Sequence, residues 1–116
     1  MKELKEMCEN IAKELIRRYE GNPAEDEAAE TAAYNEDFDL YSYFTNALDV
    51  EYIISTRGEY LDAHIAVTLG GPNIYIDTRR GYVTGYWDTD HAEAWLPREV
   101  CDEIDDIFEA YYESIR

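Results

Sequence analysis

Between residues 50 and 87 the apolar side chains recur at every second position, and on both sides of that stretch they recur every third or fourth. Period two belongs to strands with one buried face, and period three to four belongs to amphipathic helices. Val50, Tyr52 and Ile54 alternate with Glu51, Ile53 and Ser55. Beyond an Arg57-Gly58-Glu59 turn, Leu61, Ala63, Ile65, Val67 and Leu69 alternate with Asp62, His64, Ala66 and Thr68. Gly70-Gly71-Pro72 interrupts the pattern, and Asn73 to Thr78 supplies a third strand with Ile74 and Ile76 inward. A tight Arg79-Arg80-Gly81 turn leads to a fourth, Tyr82 to Trp87, with Val83, Gly85 and Trp87 on one face and Tyr82, Thr84 and Tyr86 on the other. Connections this short make neighbouring strands antiparallel.

Upstream, Leu4, Met7, Cys8, Ile11, Leu15 and Tyr19 form one helical stripe, closed by Gly21 as a left-handed cap and by Pro23. Residues 24–33 read as a short Ala/Glu-rich helix. Asp37 is expected to cap a further helix ending near Ala47, with Leu40, Tyr41 and Phe44 on one face. Downstream, Asp88 to Leu96 reads as irregular, and Pro97 opens a helix whose stripe is Val100, Ile104, Ile107, Phe108, Tyr111 and Ile115. The expected fold is α+β: a four-stranded antiparallel β-meander (48–87) flanked by an N-terminal helical region (1–47) and a C-terminal amphipathic helix (97–115). These form a single domain over residues 1–116, with the helices on one face of the sheet.

The formal net charge is −17, from 27 acids against 10 bases. Nothing in such a chain neutralises phosphates, which argues against direct nucleic-acid binding and against an anionic membrane surface. No apolar run approaches the length of a membrane span. Met1 to Tyr19 alternates charged and apolar residues, unlike a signal peptide. Cys8 and Cys101 are expected as two buried reduced thiols rather than a disulfide joining the first and last helices, which suggests the cytoplasm.

The charge is also clustered. Residues 21–51 carry Glu25, Asp26, Glu27, Glu30, Glu36, Asp37, Asp39, Asp49 and Glu51 with no base among them. On the last helix Glu99, Asp102, Glu103, Asp105, Asp106, Glu109 and Glu113 lie opposite the apolar stripe, so all seven are expected toward solvent. The plain reading is a solvated, colloid-stable surface. A surface kept only for solubility mixes both signs, however, and self-repulsion of this size destabilises the compact state. At one charge per 1.7 Å of duplex axis, seventeen charges correspond to roughly 29 Å of DNA, about one helical turn. Copying that charge density is one way to occupy a basic, nucleic-acid-binding surface of another protein. A second class of reading is a non-inhibitory interaction adaptor or homodimer. Tyr75, Tyr82 and Tyr86 project away from Ile74, Ile76 and Val83, and with Trp95 they can form an aromatic patch, the usual composition of an interface anchor, unless the 22–33 segment covers that face.

Catalysis finds little support. Asp88-Thr89-Asp90-His91 with Glu93 is the one metal-like cluster, but it lacks the sixth-position glycine of an EF-hand and reads better as a polar loop. His64 reads as a surface residue. Ser42, Ser55, Ser114 and the cysteines sit in no nucleophile elbow, and Gly70-Gly71-Pro72 opens no phosphate-cradling helix. No enzyme activity, metal or cofactor is expected.

The Leu69-Gly70-Gly71-Pro72-Asn73-Ile74-Tyr75-Ile76-Asp77-Thr78 hairpin, followed by Gly85-Tyr86-Trp87, resembles small acidic accessory proteins of bacterial mobile elements and phages. That group includes antirestriction and anti-CRISPR proteins, several of which imitate DNA. The likeness spans residues 38–112 and carries no diagnostic motif. It implies a protein partner in host defence machinery, with no cofactor.

Overall fold

The computed structural model describes residues 2–21, 39–46 and 49–115. Helix α1 (Lys2–Glu20) buries Leu4, Cys8, Ala12 and Leu15 along one side. Gly21 follows it at φ 77°, a left-handed conformation that glycine adopts without a Cβ clash. The expected helix at 24–33 and the cap at Asp37 lie outside the described residues. Helix α2 (Leu40–Tyr43) runs into a 3₁₀ turn (Phe44–Asn46). Its cap is Asp39, whose Oδ1 accepts from the Ser42 backbone N–H at 2.8 Å. Leu40 and Phe44 are buried as expected, but Tyr41 is 52% exposed.

The sheet has five strands, one more than expected: β1 (Asp49–Ile54), β2 (Tyr60–Thr68), β3 (Asn73–Asp77), β4 (Tyr82–Trp87) and β5 (Asp90–Trp95). They form an antiparallel meander in chain order. The added strand is the stretch 90–95, whose inward positions are Ala92 and Ala94. Alanine is a weak strand former, so the period-two signal is faint there. A two-residue turn with Asp88 at φ 58°, a conformation aspartate tolerates, folds β5 back on β4.

Strict alternation also fails in β2. Ile53 pairs with Asp62 but Ile54 pairs with Tyr60, so Leu61 is the extra residue of a bulge. The bulge turns Tyr60 toward the helices in place of Leu61, which is 48% exposed instead of inward. Val67 occupies a second irregularity, and Leu69 is exposed beyond the strand end.

Helix α3 (Arg98–Ile115) closes the chain, burying Val100, Cys101, Ile104 and Phe108. Pro97 stands one position ahead of it, and its carbonyl accepts from the Val100 and Cys101 N–H groups. At the far ends of the two stripes, Tyr19 and Ile115 are exposed rather than buried. One core joins α1, α2 and α3 to Ala63, Ile65, Ile74, Ile76, Val83, Ala92 and Ala94 on a single face of the sheet. Each fully buried Leu or Ile side chain there contributes about 1.5–3 kcal/mol. At Gly85 α1 approaches the sheet so closely that a Cβ would stand 2.7 Å from Cys8 Sγ and 2.8 Å from Leu4 Cδ1. Both cysteines are free and buried.

Candidate functional site: an acidic helix and an outer sheet face

Among the described residues, two surfaces stand out once the core is assigned. The first lies on α3. Glu99, Asp102, Glu103, Asp106, Glu109 and Glu113 are all exposed and follow one another at steps of one to four residues. At 100° per residue they fall within a stripe about 120° wide, opposite Val100, Ile104 and Phe108. At 1.5 Å rise per residue, Glu99 and Glu113 stand roughly 21 Å apart along the axis. Six carboxylates in that length average about one per 4 Å, against 3.4 Å per phosphate along one DNA strand. Arg98 offsets part of this, with Nε 3.1 Å from Asp102 Oδ1. The helix has no basic residue in its last turn to complement its dipole.

Asp105 departs from expectation. It is half-buried on the flank of the stripe, where its Oδ1 accepts from the Tyr60 hydroxyl at 2.6 Å and Oδ2 lies 3.8 Å from Arg98 Nη2. Burial pushes its carboxyl above the ordinary aspartate range, more strongly than Tyr60 and Arg98 pull it down. The same burial, reinforced by the Asp105 charge, raises the Tyr60 hydroxyl. The bulge at Leu61 is what aims Tyr60 at α3. Alternation alone points Leu61 there, so the helix pattern gave no sign that one acid faces inward.

Arg98 also donates from Nη2 to the Thr78 carbonyl at 2.7 Å, tying the helix start to the β3–β4 turn. Near the other end, the Tyr112 hydroxyl donates to the Gly58 carbonyl at 2.6 Å in the β1–β2 turn. The acidic stripe is therefore fixed to the sheet at both ends. Of the acids in residues 21–51, Glu25, Asp26, Glu27, Glu30, Glu36 and Asp37 lie outside the described residues. Asp39, Asp49 and Glu51 are exposed, and Asp39 is engaged as the α2 cap.

The second surface is the sheet face opposite the core. Strand register places Glu51, His64, Asp77, Tyr82 and Trp95 in one row across it. Asp49, Ala66, Tyr75, Thr84 and Glu93 make the next row, and Asn73, Tyr86 and His91 a third. Tyr75, Tyr82, Tyr86 and Trp95 thus share one face, with Tyr86 44% and Trp95 65% exposed. Two residues complete what the tyrosines began. His64 stacks on Tyr75 at 4.5 Å, Tyr75 meets Tyr86 edge-on at 6.3 Å, and Tyr86 stacks on His91 at 5.1 Å. This diagonal ladder crosses β2 to β5. His91 joins it only because 90–95 is a strand, so reading that stretch as a loop hid the ladder. Carboxylates border it, with Glu51 Oε1 3.5 Å from His64 Nδ1 and Glu93 Oε2 3.9 Å from His91 Nε2.

Among the described residues, no group of three or more His, Cys, Asp or Glu side chains is placed to hold a metal ion. The cluster at Asp88, Asp90, His91 and Glu93 instead spans a turn and both faces of β5. Burial pushes the Cys101 thiol up to about 11 and also raises that of Cys8, which disfavours the nucleophilic thiolate at both. A cleft of about 480 Å³ between α1, α2 and α3 is lined by Arg18, Tyr19, Asp39, Leu40, Tyr41, Glu103 and Ile107. Among the described residues, that lining contains no serine, cysteine or histidine. No described helix is long and apolar enough to cross a membrane. Compared with known proteins, the chain matches no family model, no curated protein and no solved structure.

Proposed function

We propose that the chain is a nucleic-acid mimic, a non-enzymatic inhibitor that occupies the basic nucleic-acid-binding surface of a host defence protein such as a CRISPR effector or a restriction enzyme. The observation that carries this reading is the α3 stripe: six exposed carboxylates in a row, at nearly the linear charge density of one DNA strand. A basic cleft shaped for phosphates meets a similar field there, on a helix that Arg98 and Tyr112 hold to the sheet. Such an inhibitor needs no cofactor and acts in the cytoplasm, where its free, buried thiols stay reduced.

Competition with labelled duplex DNA or guide complex for a panel of restriction enzymes and CRISPR effectors tests the proposal. Displacement from at least one of them, weakening as salt rises, is the expected result. Displacement from none would exclude mimicry of their substrates. The alternative reading, a non-inhibitory adaptor or homodimer using the aromatic sheet face, draws on the exposure of Tyr86 and Trp95. Two copies at −17 each repel at long range, so self-association through that face opposes the net charge.

A further inference from the structure

We infer that the outer sheet face is a second contact area, an arginine platform that receives an arginine-bearing segment of a protein partner on the His64–Tyr75–Tyr86–His91 ladder. The inference rests on the proposed function in one respect, that the partner is basic. The ladder runs across four strands, its His64–Tyr75 and Tyr86–His91 pairs stacked and Tyr75–Tyr86 edge-on, with Tyr86 and His91 exposed at one end and Glu51 and Glu93 beside its two ends. Ring surface next to a carboxylate is what a guanidinium seeks, since it stacks through its plane and donates from its edge. The same face already holds one guanidinium in this way. Arg80 lies over the Tyr82 ring, 5.3 Å from its centroid, while Nη1 reaches Glu93 Oε2 at 2.8 Å.

Charge decides among other occupants. Single-stranded nucleic acid would use the rings for base stacking, but its phosphates would face a chain of net charge −17. A second copy carries the same charge. A lysine-rich segment has the sign but not the plane, so the rings add less for it. An arginine-bearing protein segment satisfies both.

The test is an amide-resolved NMR titration with two probe peptides of equal length and charge, one alternating Gly with Arg and one alternating Gly with Lys, at about 150 mM salt. Tighter binding of the Arg peptide is expected, with shifts centred on residues 64, 75, 86 and 91. Tyr86→Ala should lower Arg-peptide affinity about two- to fivefold, the size of an exposed cation–π contact, while Tyr86→Phe retains it. Because Tyr86 is exposed, the Ala variant should fold, and its unperturbed core amides check this. Equal affinity for the two peptides, shifts confined to α3, or wild-type binding by Tyr86→Ala would overturn the inference. So would concentration-dependent shifts on the ladder without peptide, which would assign the face to a second copy. The triple variant Glu103→Lys, Asp106→Lys, Glu109→Lys separates this inference from the mimic reading. It should weaken both peptides yet keep their ratio, and that ratio stands whether or not any effector is displaced.

Discussion

The Tyr60 hydroxyl donates to Asp105 at 2.6 Å in the seam between β2 and α3, and the carboxyl is held above its ordinary range chiefly by burial. The folded state therefore binds more protons than the unfolded state between about pH 3.9, the ordinary aspartate value, and the raised one. Over that window this residue's contribution to stability falls as pH rises. Asp105→Asn should flatten that slope and cost little at neutral pH, since its amide oxygen still accepts from Tyr60. Chemical denaturation at pH 4, 5, 6 and 7 checks this, and an unchanged slope would contradict it. Asp105→Lys places a cation beside Arg98 and should destabilise by about 1–3 kcal/mol through lost hydrogen bonding. Gly85 makes a different residue-scale prediction. Gly85→Ala drives a Cβ into Cys8 and Leu4 and should cost about 1–3 kcal/mol as overpacking. Adding Cys8→Ala should recover part of that loss in a double-mutant cycle.

At the scale of elements, α3 is built against its own local stability. Glu99–Glu103, Asp102–Asp106 and Glu109–Glu113 are like-charged at helical spacing, each opposing the helix by about 0.2–0.5 kcal/mol. Reversing Glu103, Asp106 and Glu109 to lysine should therefore raise the thermal midpoint, measurable by circular dichroism. A fall would mean that these acids make stabilising contacts. The acidic stripe was legible in the sequence because a regular helix fixes each residue's direction, and the inward acid was missed because its partner comes from another element. The sheet divides in the same way. Ile65, Ile74, Ile76 and Val83 were placed on the inner face by period two alone, and that same period put Tyr75, Tyr82 and Tyr86 together outside. Leu61 and β5 were not legible. A bulge leaves no mark in an alternating pattern, and the buried positions of β5 are Ala92 and Ala94, whose weak strand preference leaves little period-two signal. Without β5, His91 had no strand to bring it beside Tyr86.

For the whole molecule, the net charge of −17 sets both stability and association. Screening should stabilise the fold, so the thermal midpoint should rise as sodium chloride increases from about 20 to 500 mM. Mild acid should act in the same direction by neutralising repelling carboxylates, until the carboxylates that the fold holds ionised are lost. Glu14 is one of these. Burial raises it, but hydrogen bonds from Arg17 and Arg18 outweigh burial and hold it below its usual range. Its stabilisation is present above the ordinary glutamate value and disappears as pH falls through the lowered one. The stability optimum is therefore expected on the acid side of neutrality. The same charge, arranged along α3, is the basis of the proposed mimicry. The most direct test of that mimicry is the affinity for a DNA-binding effector that the chain displaces from duplex DNA. It is measured for wild type and for Glu103→Lys, Asp106→Lys, Glu109→Lys at about 50 and 200 mM salt. The prediction is that wild-type affinity falls at least tenfold across that salt range and that the reversed variant, although folded, binds at least tenfold more weakly at the lower salt. Equal affinity of the two proteins, with no dependence on salt, would contradict it.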